Sequence, residues 1–168
     1  MEIVLYFSSK EFLSSDIFVF PVIEKDNIEN FASLISINED ILRKAQKERF
    51  FSGKMGEKLL IPFIRKSKNS KIIFLGVGKK EEITKELLNN LFSNLAEIIK
   101  SFGINSLTLF PFSIYKINFN LADTFEIIIS SFIEKDCCQL LFIPIDSINV
   151  SNLQDAIKNI TAKKIEII

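Results

Sequence analysis

Apolar positions along this chain follow two rhythms. Short, nearly continuous apolar runs alternate with longer stretches in which apolar residues return every three or four positions. The first kind reads as strand and the second as amphipathic helix. Strands are expected at Glu2–Phe7, Asp16–Ile23, Glu57–Ile64, Lys71–Val77, Ser106–Phe110 and Gln139–Ile145. The run "DIFVFPVI" at Asp16–Ile23 has almost no polar position, which predicts burial on both faces of a sheet. Pro62 interrupts Glu57–Ile64 and places that strand near an edge or an end, because proline cannot donate to a ladder. Ser106–Phe110 stops at Pro111, and Lys164–Ile168 alternates as a half-exposed edge strand does.

Three helices carry start signals. Asn38 reads as an N-cap with Glu39 and Asp40 in the first turn, where the helix dipole favours negative charge; Ile41, Leu42 and Ala45 form a narrow apolar stripe. Thr84 caps the longest helix, with Ile83 and Leu88 at hydrophobic-staple positions. Leu87, Leu88, Leu91, Phe92, Leu95, Ala96, Ile98, Ile99 and Phe102 follow at helical spacing, and Gly103 ends it as a C′ glycine. Ser151 and Gln154 form a capping-box pair ahead of Leu153, Ala156, Ile157 and Ile160. Between these lies Leu121–Ile133, with Leu121, Ala122, Phe125, Ile128, Ile129, Phe132 and Ile133 on one side. Residues 24–37 read as a loop with a turn of helix.

Strands alternating with helices predict an α/β three-layer sandwich: a mixed, mostly parallel sheet with helices on both faces. The early order of strand, irregular segment, helix and strand leaves room for one or two antiparallel neighbours. No Pro/Gly/Ser-rich linker and no repeat divides the chain, so residues 1–168 are expected to form one domain. A domain of this length buries roughly 70% of its unfolded surface and needs no staples.

Composition narrows the chemistry. Lys plus Arg and Asp plus Glu both number 21, so the formal net charge is zero. The basic excess of a nucleic-acid binder is missing; its nearest approach, Arg65–Lys71, reads as a solvated loop. There is no histidine. That excludes Ser-His-Asp and Cys-His nucleophile systems and any His-containing zinc site. Carboxylate-only metal sites and carboxylate-pair chemistry stay open. Cys137 and Cys138 are sequence neighbours. On an extended segment they would point to opposite faces, a poor arrangement for a disulfide or a chelate, so both read as buried structural thiols. No apolar run approaches the ~20 residues of a membrane span. The N-terminus "MEIVLYFSSKEF" lacks a basic start and a small-residue cleavage site, so a cytoplasmic location is expected.

Two glycine-containing stretches invite a phosphate. In "FFSGKMGEKLLIPF", residues 50–63, Gly53 and Gly56 bracket Lys54. A P-loop needs G-x-x-x-x-G-K-[ST] leading into a helix. Here Glu57 follows the second glycine and the chain enters a strand, so a turn is the better reading. Gly76-Val77-Gly78 follows a buried strand and precedes a helix, where dinucleotide loops sit. Its third glycine position is Glu81, however, and Glu81 and Glu82 would repel phosphate. The carboxylate pairs Glu39/Asp40 and Glu81/Glu82 are accounted for by helix starts. Asp123 and Glu126 flank an apolar helix face and are expected to meet solvent. No catalytic, cofactor-binding or metal-ligating residue is therefore assigned.

The assembled pattern resembles the N-terminal domain of the leucine aminopeptidase (cytosol aminopeptidase) family. The resemblance rests on Phe51, Gly53, Lys54, Gly56 and Glu57 leading into a strand, then Gly76-Val77-Gly78-Lys79, then Glu81-Glu82-Ile83-Thr84 opening a helix. "DIFVFPVIEKD" is similar to the family's early strand, and the likeness covers about residues 16–112. It implies a macro-domain-like fold. It also implies a parent metalloaminopeptidase whose two divalent metal ions, such as zinc or manganese, and catalytic residues lie in a separate C-terminal domain. The Asn-Thr-Asp-Ala-Glu-Gly-Arg motif of that domain is not in this sequence. The resemblance accordingly implies a non-catalytic accessory domain with no cofactor of its own. Its partners would be the missing catalytic domain and copies of itself in an oligomer, typically a hexamer. Macro domains proper bind ADP-ribose, which supplies an alternative reading as a small-ligand module. They do so with an Asn-Ala-Ala-Asn-like stretch and a glycine-rich phosphate loop. This chain has "VIEKDNIEN" and the shortened Gly76-Val77-Gly78 at those places.

Overall fold

The computed structural model describes residues 1–6, 15–35, 37–65, 68–111, 120–144 and 164–167. They form one sheet of seven strands: β1 (Glu2–Tyr6), β2 (Ile17–Ile23), β3 (Lys58–Arg65), β4 (Lys68–Gly78), β5 (Ser106–Leu109), β6 (Leu140–Pro144) and β7 (Lys164–Ile167). The strand order is β3-β4-β2-β5-β6-β1-β7. All neighbours are parallel except β3, which runs antiparallel to β4 along one edge. The expected mixed, mostly parallel sheet is thus found, with a single antiparallel neighbour. The helices are α1 (Ala32–Ile35), α2 (Glu39–Glu48), α3 (Lys85–Ser101) and α4 (Leu121–Lys135).

Pro62 shows why β3 lies outermost. It stands opposite Lys71, whose N–H is already donated to Asp16 on the far side at 3.0 Å. Pro62 therefore occupies a non-hydrogen-bonded pair, and its missing donor faces the open edge. The chain end Lys164–Ile167 holds the opposite edge beside β1.

Alternation along β2 separates two cores. Ile17 and Val19 join Ile73, Leu75 and Val77 under α3 and α4. Phe18, Phe20 and Val22 join Ile72, Phe74 and Phe110 under the turn Ile28–Phe31, α1 and α2. β2 is buried on both faces because it is central and covered from each side, as its apolar run predicts. The second core is aromatic. Phe20 stacks on Phe110 with ring centres 4.4 Å apart and planes 6° apart, and it lies 5.3 Å from Phe74.

The helix ends follow their expected chemistry. Asn38 accepts from the N–H of Asp40 at 2.8 Å and Thr84 from that of Leu87 at 3.2 Å. Asn120, unmarked in the sequence reading, caps α4 by accepting from Ala122 at 2.9 Å. Gly103 follows α3 with φ +60°. The apolar arcs are narrower than the periodicity implied. Ile41, Leu87 and Phe102 are exposed by 55%, 40% and 37%. Ile41 and Leu87 each stand one residue, about 100° of helix, from the buried Leu42 and Leu88. Phe102 lies past the last turn, where the Lys71 ammonium sits 5.2 Å from its ring centre.

The turn of helix expected within residues 24–37 is the 3-10 turn Ile28–Phe31 running into α1, braced by Gln46 accepting from Ile28 N–H at 3.1 Å. Two readings need correction. Of the stretch expected as a loop, Arg65 instead ends β3 and Lys68–Lys71 begins β4, because the antiparallel ladder continues past the apolar runs to the Arg65–Lys68 pair. Cys137 and Cys138 are buried, as expected, but are not splayed on a strand. They follow Asp136, whose φ of 48° ends α4, and precede β6, so both lie in the connection between helix and strand. The capping-box helix expected after Ser151 lies outside the described residues.

Candidate functional site

The two glycine stretches meet. β2 and β4 are adjacent and parallel, so the turn after β2, the loop 51–57 and the end of β4 converge at one end of the sheet. Gly53, Gly56 and Gly78 have φ of +80°, +80° and +83°, a region that side chains with a Cβ rarely adopt. Gly76 N–H donates to the Glu57 carbonyl at 2.8 Å, Gly56 N–H to the Gly76 carbonyl at 2.9 Å, and Gly78 N–H to the Gly53 carbonyl at 3.0 Å. Beside them, Lys25 N–H reaches the Ser52 carbonyl at 2.8 Å and Glu24 N–H the Gly78 carbonyl at 2.9 Å. The backbones touch: a Cβ on Gly76 would lie 2.1 Å from the Lys54 carbonyl oxygen, and one on Gly53 would lie 2.7 Å from that of Ile23.

This loop does cradle an anion, and the anion is its own Glu57. The N–H groups of Ser52 and Lys54 donate to Glu57 Oε2 at 2.8 and 3.2 Å. The Ser52 hydroxyl donates to both carboxylate oxygens at 3.0 and 3.2 Å, and the Gly53 amide adds to the set. Successive amides arranged this way form a nest for negative charge. Partial burial pushes the Glu57 pKa up, but the combined donors outweigh it and hold the carboxyl below its ordinary value. The turn reading is right about the absence of a P-loop. It misses the nest, whose signal in the sequence is the acid placed directly after the second glycine.

Outside the loop, Ile23, Glu24, Lys25, Lys79, Lys80 and Glu81 line a shallow cleft of about 180 Å³. Lys79 Nζ bonds Glu82 at 2.8 Å, and that hydrogen bond raises its pKa. Glu81 and Glu82 lie in a 3-10 turn ahead of α3 rather than in its first turn. Asp40 pairs with Arg43 at 2.8 Å, and Asp123 pairs with Lys85 across α3 and α4. Glu126 is half-buried near that pair, in a second cleft with Asn89, Ile127 and Ser130. Among the described residues, no three His, Cys, Asp or Glu side chains converge to hold a metal ion. No described helix is long and apolar enough to cross a membrane.

An α/β sandwich with this strand order is macro-domain-like, and solved structures bear out the class. The macro domain of ganglioside induced differentiation associated protein 2 superposes with a TM-score of 0.68 at 14% identity, over 91% of this chain and 81% of that one. A tomato leucine aminopeptidase mutant superposes with a TM-score of 0.61 at 14% identity, over 93% of this chain and 35% of that one. The more particular assignment comes from sequence: residues 17–136 match the model of the cytosol aminopeptidase family, N-terminal domain, and the chain belongs to that family. It is 30% identical over 107 residues to a "Probable cytosol aminopeptidase" of Buchnera aphidicola subsp. Baizongia pistaciae (strain Bp). That match takes in 63% of this chain and 21% of the relative, so the chain spans about a fifth of the length of the curated protein it matches.

Proposed function

We propose that this chain, residues 1–168, is a single accessory domain that catalyses nothing itself and works beside the metal-dependent catalytic unit of an aminopeptidase. The observation that carries the reading is the filled nest. The glycine loops placed where this kind of sheet offers an anion site are engaged with each other and with Glu57. The absence of histidine from the sequence supports it, since the usual proton carrier at neutral pH is missing. On this reading the catalytic residues and the two divalent ions belong to the catalytic unit. The domain's task is packing and assembly into a homo-oligomer in the cytoplasm.

The test is an assay of the chain on a leucyl amide with zinc or manganese added. The expected result is no turnover above the metal alone, and a chelator-sensitive rate would overturn the proposal. The alternative, a macro-domain-type site for ADP-ribose, is tested by calorimetry on the same preparation. The cleft of about 180 Å³ beside the loops carries Glu24 and Glu81 and is smaller than the roughly 300 Å³ at which ligand pockets begin. No saturable heat is expected, and micromolar binding would favour the alternative.

A further inference from the structure

At the other end of the sheet two sulfur atoms meet, with a third carried by the adjacent residue. The parallel pairing of β1 with β6 sets Glu2 opposite Leu140, and Glu2 N–H donates to the Gln139 carbonyl at 2.7 Å. This register brings Met1 beside Cys138, although 137 positions separate them; Cys138 Sγ donates to Met1 Sδ at 3.7 Å. Asp136 turns the chain out of α4 through a left-handed residue, and Cys137 and Cys138 follow it into one cleft. Both cysteines are buried, at 3% and 4% exposure, yet they line a cleft of about 210 Å³ with Lys100, Gly103, Ile104, Asp136 and Gln139.

We propose that Cys137, Cys138 and Met1 form a binding site for one soft monovalent metal ion, Cu(I). Thiolate and thioether are the ligands such an ion selects. In a trigonal three-sulfur site with metal–sulfur bonds of about 2.3 Å, the sulfurs stand about 4 Å apart, close to the observed Cys138–Met1 separation. Sequence spacing gives no hint of the site, because the third ligand is a thioether from the far end of the chain. Binding is a plain exchange: two S–H protons leave, two sulfur–copper bonds form with a third from the thioether, and nothing is oxidised. The product carries one net negative charge. The Lys100 side chain lines the same cleft and favours that charge, while the Asp136 carboxylate opposes it. This inference is independent of the aminopeptidase reading.

The test is an anaerobic titration of the full chain with Cu(I) against a chromophoric chelator such as bicinchoninate. One equivalent withdrawn from the chelator is expected, with binding at least 100-fold weaker in the double variant Cys137→Ser, Cys138→Ser. The sequence has two methionines, Met1 and Met55. A chain carrying Met55→Leu and grown with selenomethionine therefore holds selenium only at position 1. X-ray absorption at the copper edge should then show one selenium and two sulfur neighbours, a readout that keeps both cysteines and does not depend on the double variant folding. No uptake, uptake unchanged in the double variant, or a two-sulfur copper without selenium would each overturn the proposal.

Discussion

Replacing Gly76 by alanine tests the contact on which the loop reading depends. The new methyl carbon would stand 2.1 Å from the Lys54 carbonyl oxygen and 2.7 Å from the Gly53 carbonyl carbon, where ordinary contacts begin at 3.4 Å. These neighbours are backbone atoms, so no rotamer change relieves the overlap. The loop must retreat by more than an ångström, and the retreat stretches three hydrogen bonds: Gly56 to Gly76, Gly76 to Glu57 and Gly78 to Gly53. Each contributes about 1 kcal/mol net. The expected loss is therefore about 3 kcal/mol, or a melting temperature lower by roughly 6–12 °C for a domain of this size. Gly56→Ala is the control. Gly56 shares the positive φ, but no atom lies within 4 Å of the methyl it would gain, so only backbone strain of about 1 kcal/mol is expected. Urea unfolding of the two variants beside the parent measures both losses. If Gly76→Ala costs no more than Gly56→Ala, the interlocked-loop argument is wrong.

Glu57→Gln removes the nest's own charge while keeping its shape. A carboxylate whose folded-state pKa lies below its unfolded value contributes stability above the unfolded value, near 4.5, and loses it as pH falls through the folded one. The variant should thus be less stable than the parent at pH 7, and the gap should close on acidification below pH 4.5. A gap that is the same at pH 3 and pH 7 in urea melts would refute the assignment. In the aromatic core, Phe20→Ala deletes a fully buried ring stacked on Phe110 and Phe74, with an expected loss of about 3–5 kcal/mol. A loss under about 1.5 kcal/mol by the same measurement would mean that the stack is not a unit of the core.

Much of the architecture was readable one segment at a time. The continuous run in β2 announced a strand covered twice, Pro62 announced an edge, and Asn38, Thr84 and Gly103 marked helix ends. These are local properties of backbone and side chain, and they need no knowledge of neighbours. The boundary at Lys68 was not readable, because ladder pairing with β3 carries β4 through polar residues that periodicity assigns to a loop. The exposure of Ile41 and Leu87 depends on how far each helix face is covered, which spacing alone does not state.

The sites divide in the same way. Sequence alone established that glycines flank Lys54, that an acid follows the second of them, that a strand ends in Gly76-Val77-Gly78 and that no histidine is present. Only the fold brought those two stretches into contact and turned Glu57 into the occupant of the loop's amides. Only the pairing of β1 with β6 set Met1 against Cys138. The physical reason is common to both cases. Propensity and capping act over a few residues and are written in the order of the chain, whereas the register of parallel strands joins positions far apart in that order, and it is the register that decides which groups touch.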